Sequence, residues 1–142
     1  MSSISQQPQQ PSAQPRGGSP IPATFQAEPP RPLIRHDDAQ RLLLNIIEAR
    51  TTSYATEFES CLDHAYFIVN SMYEANRANH RPTGIFSEMM RLIHDARDAL
   101  NSTIQTDEDG FPIDYVSPRA VPFVIRLNDK YLELINQTTQ IA

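Results

Sequence analysis

Between residues 38 and 79 the chain has neither Pro nor Gly, and over that stretch side chains recur at heptad spacing. One row reads Ile47, Tyr54, Cys61, Ile68 and Ala75, and an interleaved row reads Leu44, Thr51, Phe58, Ala65 and Met72. Such a double row is one stripe on an α-helix, and an unbroken helix here would run about 60 Å at a rise of about 1.5 Å per residue. In a chain of 142 residues a helix that long has to lie against other helices. The expected fold class is therefore all-α.

The spacing predicts the rest of the domain in outline. The long helix should open at His36 or Asp37, where Asp37 and Asp38 suit the positive end of the helix dipole. Leu62, Tyr66, Phe67, Val69 and Tyr73 widen the stripe, which predicts that this stretch is the most enclosed. Residues 77–81 should fray ahead of Pro82. Thr83 caps a second helix, along which Ile85, Phe86, Met89, Met90, Ile93, Ala96, Leu100 and Ile104 repeat at three and four. That helix should stop at Asp107-Glu108-Asp109-Gly110. Phe111, Ile113 and Tyr115 alternate in an extended segment expected to pack back across the bundle. Ser117-Pro118 then starts a third helix, which Pro122 either kinks or shifts to a start at Val121.

The result is a three-helix bundle built on one long N-terminal helix, spanning residues 36–142. Residues 1–35 form a segment rich in Ser, Gln and Pro, and over residues 1–33 Ile4, Ile21, Phe25 and Leu33 are the sizeable apolar residues. So little apolar surface cannot offset the entropy of ordering, and the segment is expected to be a disordered tail. Two shorter helices leave part of the long one uncovered within the chain. Leu43, Leu44, Ile47, Tyr54 and Phe58 are accordingly the expected partner-binding residues, and the expected assembly is a hetero-oligomer.

Charge and composition narrow the function classes. Beyond His36 the chain carries nine Arg or Lys against sixteen Asp or Glu, a balance that repels phosphate and argues against direct nucleic-acid binding. No run of residues approaches the apolar length of a membrane span, and the first ten residues lack a hydrophobic signal region. An intracellular, reducing compartment is expected, in which the single cysteine, Cys61, has no disulfide role. Lys130 is the only lysine beside eleven arginines, which fits either drift or avoidance of lysine-directed modification.

The candidate chemistry is thin. Cys61 and His64 lie one helical turn apart, but the thiol falls on the buried seam and no Gly-rich loop offers backbone donors, so a structural thiol is expected. His64, His94, Asp95 and Asp98 lack the paired Glu-x-x-His spacing of helical metal sites and read as solvated polar faces. Aligning Gly110 with the glycine of a calcium-binding EF-hand loop puts Gln105 and Val116 at ligand positions, which excludes that loop. Four glycines form neither a phosphate loop nor a dinucleotide fingerprint. No catalytic residue, metal or cofactor is expected, and the chain reads as a protein-binding module.

One segment carries a family resemblance. Phe58-Glu59-Ser60-Cys61-Leu62-Asp63-His64-Ala65-Tyr66 resembles the Phe-x-x-Cys-Leu-acidic-x-x-Tyr segment of Intersex-type subunits of the Mediator transcription coactivator. The Gln/Pro-rich head followed by helices resembles that family too, as does Ala96-Arg97-Asp98 within the second helix. The chain departs from the family in fusing the first two helical segments and in adding a helix after Pro118. The resemblance implies a nuclear, non-catalytic subunit bridging activators and the polymerase II machinery. A second reading starts from residues 1–14, whose Ser and Gln content and lack of acidic residues resemble the export signal of type III secreted bacterial effectors. A third, a homodimeric coiled-coil scaffold, needs only the seam, although Thr51 and Ala65 suit a packed bundle better than a two-stranded zipper.

Overall fold

The computed structural model of the protein describes residues 30–102 and 105–141, and within them the expected long helix is two. Helix α1 runs His36–Thr51 and α2 runs Ala55–Ala78. The break falls on Thr51-Thr52-Ser53, three hydroxyl residues whose side chains compete with the helix for backbone partners. Thr51 donates its hydroxyl back to the Ile47 carbonyl at 3.0 Å. Thr52 then turns to extended backbone (φ −72°, ψ 147°). Its hydroxyl donates to Glu57 and accepts the Tyr54 N–H. From the far side of the chain, Asp114 accepts both the N–H and the hydroxyl of Thr56 at 2.8 Å, capping the start of α2.

Helices α3 (Gly84–Ser102) and α4 (Val121–Gln137) complete a bundle of four, not three. Successive helices are antiparallel neighbours, and α4 closes the ring against α1, where the Tyr131 hydroxyl donates to the Ala39 carbonyl at 3.2 Å. Helix α4 starts at Val121 and keeps Pro122 in its first turn, where the missing N–H removes no helical bond. Helix α3 begins directly after Thr83, whose carbonyl accepts the Ser87 N–H at 3.1 Å. Ile104, expected in its stripe, lies outside the described residues.

Every helix contributes to one core. Phe58, Phe86, Leu42, Ile46, Leu62, Met89, Ile93, Leu127 and Leu134 are its largest enclosed side chains. The heptad seam holds along α2 as far as Met72, with Phe58, Cys61, Ala65, Ile68 and Met72 all buried, but its last position, Ala75, is exposed and Asn76 is buried in its place. It fails along α1, which buries Ala39, Leu42, Ile46 and Ala49 instead. With the helix broken, α1 turns Ala39 and Ala49 inward beside Leu42 and Ile46, and Leu44 and Ile47 turn out to solvent.

Two short strands lie at the open end of the bundle: β1 (Leu33–Arg35) ahead of α1 and β2 (Thr139–Ile141) after α4. They pair in parallel, Leu33 opposite Thr139 and Arg35 opposite Ile141. On its other edge β1 is held by Asn76, buried in α2. The Asn76 side chain accepts the Leu33 N–H at 2.7 Å and donates to the Leu33 carbonyl at 2.9 Å, so one amide stands in for a neighbouring strand. Ile34 is thereby sealed into the core. The folded unit starts at Arg31, a few residues before the boundary expected at residue 36. Most of the expected tail, residues 1–29, lies outside the described residues. The end of α2 does not fray. Arg81 donates its N–H to the Asn76 carbonyl at 2.8 Å while His80 takes a left-handed φ of 56°.

Candidate functional site

The five residues expected to bind a partner separate on the structure. Phe58 is fully enclosed in the core and Leu43 is half-buried against it, so Phe58 offers no surface to a partner. This corrects the expectation for Phe58 and for the five residues as one partner-binding set. Leu44, Ile47 and Tyr54 are 64 %, 44 % and 58 % exposed. They do not form one row. Leu44 borders the groove between α1 and α2, and Ile47, about 60° round the helix from it, does not line that groove.

The groove holds a side chain that the sequence reading assigned to the core. Phe67 is 69 % exposed and stands at the rim of a hollow of about 300 Å³ lined by Arg41, Leu44, Asn45, His64 and Ile68. Its neighbours Leu62 and Val69 are buried as expected, and Tyr66 is exposed. On a helix that buries one stripe, a run of apolar residues broader than the stripe has to leave some of them outside. Arg41 pairs with Asp38 at 2.7 Å along this face, and about two turns further along α1, Glu48 reaches Cys61.

That contact bears on the thiol. Burial first, and then the Glu48 and Glu57 carboxylates, push the Cys61 pKa up to about 11. A thiol that holds its proton so firmly is a poor nucleophile at neutral pH. His64 lines the hollow on α2, while His94, Asp95 and Asp98 cluster on the exposed face of α3, with His94 Nδ1 3.4 Å from Asp98. The four expected polar candidates are therefore not brought together. Asp107 of the acidic turn is occupied by the backbone, accepting the N–H groups of Asp109 and Phe111 at 2.9 Å while Gly110 takes φ 83°.

The loop after α3 does return across the bundle end. Asp114 caps α2, and the Val116 N–H donates to the Ser53 carbonyl at 3.0 Å. Its anchoring is polar rather than apolar, since Ile113 is half-buried and Phe111 and Tyr115 are exposed. Lys130, the only lysine, bridges α4 to Glu88 of α3 at 2.5 Å and lies 3.4 Å from Glu133. Those carboxylates hold its ammonium above the ordinary lysine range. Arg97 similarly ties α3 to Asp63 of α2 at 2.7 Å.

Comparison with known proteins adds no relative: no family model, no curated protein and no solved structure matches the chain. Among the described residues no helix is long and apolar enough to cross a membrane. The candidate site is thus, among the described residues, a set of outward apolar side chains on a helical bundle.

Proposed function

We propose that the protein is a non-catalytic helical subunit or adaptor, which works by holding a second protein against the Ile47–Tyr54 side of the bundle. One observation carries this reading. Ile47 and Tyr54 remain largely in solvent although the four helices already close a full core without them. Apolar surface of that kind gains roughly 25 cal/mol per Å² only when another molecule covers it. The acidic balance of the domain favours a protein over a nucleic acid as that molecule.

The likeness to Intersex-type subunits supports placing the assembly among transcription coactivators such as Mediator, with a nuclear location. Phe58, Cys61 and Leu62 of the matching segment are core residues and Tyr66 is exposed. What the likeness supports is therefore a shared way of packing helices, while the partner surface is this chain's own.

The test is capture of the full chain, tagged, from the cells that make it. Proteins recovered with the wild type are compared with those recovered with Ile47→Asp and Tyr54→Asp. The expected outcome is a loss of at least about tenfold in one specific set of partners, with the helical signal of both variants unchanged. Retention of every partner by both variants would sink the reading. Unfolding of both would show that this side is core.

A further inference from the structure

Between α3 and α4 lies an open hollow of about 590 Å³, within the size range of small-molecule sites. Glu88, Arg91 and Leu92 line it from α3, and Arg126, Asp129 and Lys130 from α4. Its charges do not cancel: three bases stand against two acids. Lys130 and Glu88 take each other up, and Lys130 also lies 3.4 Å from Glu133, outside the lining. That leaves Arg91 on one helix and Arg126 with Asp129 on the other. Beyond His36 acids outnumber bases sixteen to nine, and Arg41, Arg77 and Arg97 each find a carboxylate. Among the described residues Arg91 and Arg126 do not, although they share one hollow. Arg126 lies over the Phe123 ring, 5.3 Å from its centroid. Such a contact fixes the guanidinium by its face and leaves its N–H fork for a ligand. Leu92, half-buried, is the apolar member of the lining, and the methylene stems of the three bases add to it.

We propose that this hollow binds a small amphipathic anion, a carboxylate or phosphate head on an apolar body, with Arg91 and Arg126 holding the head and Leu92 meeting the body. Two guanidiniums without a protein acceptor suit such a head, because each presents paired N–H donors to two oxygens at once. The acid excess of the domain disfavours a macromolecular polyanion, which would meet the whole surface. A small anion meets the local charges instead, since fields are screened within about 8 Å at physiological salt. The Lys130–Glu88 bridge gives the single lysine its part: it ties the two walls together and takes Glu88 out of competition for the arginines. None of these residues belongs to α1 or to the turn carrying Tyr54, so the site is separate from the partner surface proposed above.

The experiment is titration calorimetry of the full chain with decanoate and with decyl phosphate, beside decanol and inorganic phosphate as the body and the head alone. The expected result is saturable one-to-one binding of at least one of the two amphipathic anions, the tighter of them identifying the head as carboxylate or phosphate. The same ligand should raise the thermal midpoint, because it binds only the folded chain. Decanol and inorganic phosphate should each bind at least about tenfold more weakly. Arg91→Gln and Arg126→Gln should each weaken binding at least about tenfold, with helicity unchanged. Arg119→Gln removes an exposed charge outside the lining and should bind as the wild type does. Absence of saturable binding by both anions, decanol binding as tightly as they do, or undiminished binding by both arginine variants would each overturn the proposal. Should Arg126→Gln lose helicity through its contact with Phe123, Arg91→Gln decides alone.

Discussion

Asn76 shows how much one side chain can organise. Its amide takes both backbone groups of Leu33 and also donates to the Met72 carbonyl at 2.8 Å. Asn76→Ala should cost about 1–3 kcal/mol, because the Leu33 groups lose their partner. Hydrogen exchange should report the loss at the Leu33 amide first. Nothing in the sequence distinguished this Asn from its neighbours Asn70 and Asn79, since its partner is 43 residues away. Cys61, by contrast, was legible: a thiol on the buried stripe was expected to be inert, and it is buried. Its titration has a direction that can be checked. The folded state keeps the thiol proton to about pH 11, whereas the unfolded chain releases it near pH 9. Between those values the unfolded state binds fewer protons, so stability falls as pH rises through that window and is fully present below it. The upward shifts of Lys130 and Tyr131 act in the same sense. Thermal unfolding from pH 8 to 11 should show a falling midpoint. Cys61→Ala should flatten that fall, by an amount on the order of 2 kcal/mol. Phe67 was misjudged from sequence as core. Phe67→Asp is now expected to leave the fold intact, with a change within about 0.5 kcal/mol, measurable by denaturant titration.

At the scale of elements, helical periodicity was readable almost throughout, and the error lay in one connection. The absence of Pro and Gly made residues 38–79 look continuous, while the signal for the break was chemical: three hydroxyl residues in succession. Their effect depends on Asp114, 58 residues beyond Thr56 in sequence, which no local pattern reveals. Asp114→Ala should cost about 1 kcal/mol by uncapping α2. It should also loosen the 105–116 loop, read as faster exchange of the Val116 amide bonded to Ser53. The break explains why the heptad reading held on α2 as far as Met72 and failed on α1. With a free hinge, burial follows the small-and-large pattern Ala39, Leu42, Ile46, Ala49 in preference to the larger Leu44 and Ile47. Helix α4 was read correctly in its second alternative, because Pro122 is harmless only in the first turn.

For the whole molecule, the helical class and most of the core could be read from spacing alone. The number of helices and the choice of apolar residues left exposed could not. That choice depends on how α1 is rolled, a property of the assembled ring and not of any segment. It leaves Leu44, Ile47 and Tyr54 exposed, with Leu44 beside Phe67 at the groove between α1 and α2. The central claim is that the molecule works as part of a larger assembly through the surface that includes Ile47 and Tyr54. The most direct test is the native mass of the full chain in extract of its own cells, beside that of Ile47→Asp. Elution of the wild type well above 16.1 kDa, with the variant falling back toward that mass, is the predicted result. Wild type and variant eluting together, at any mass, would contradict it.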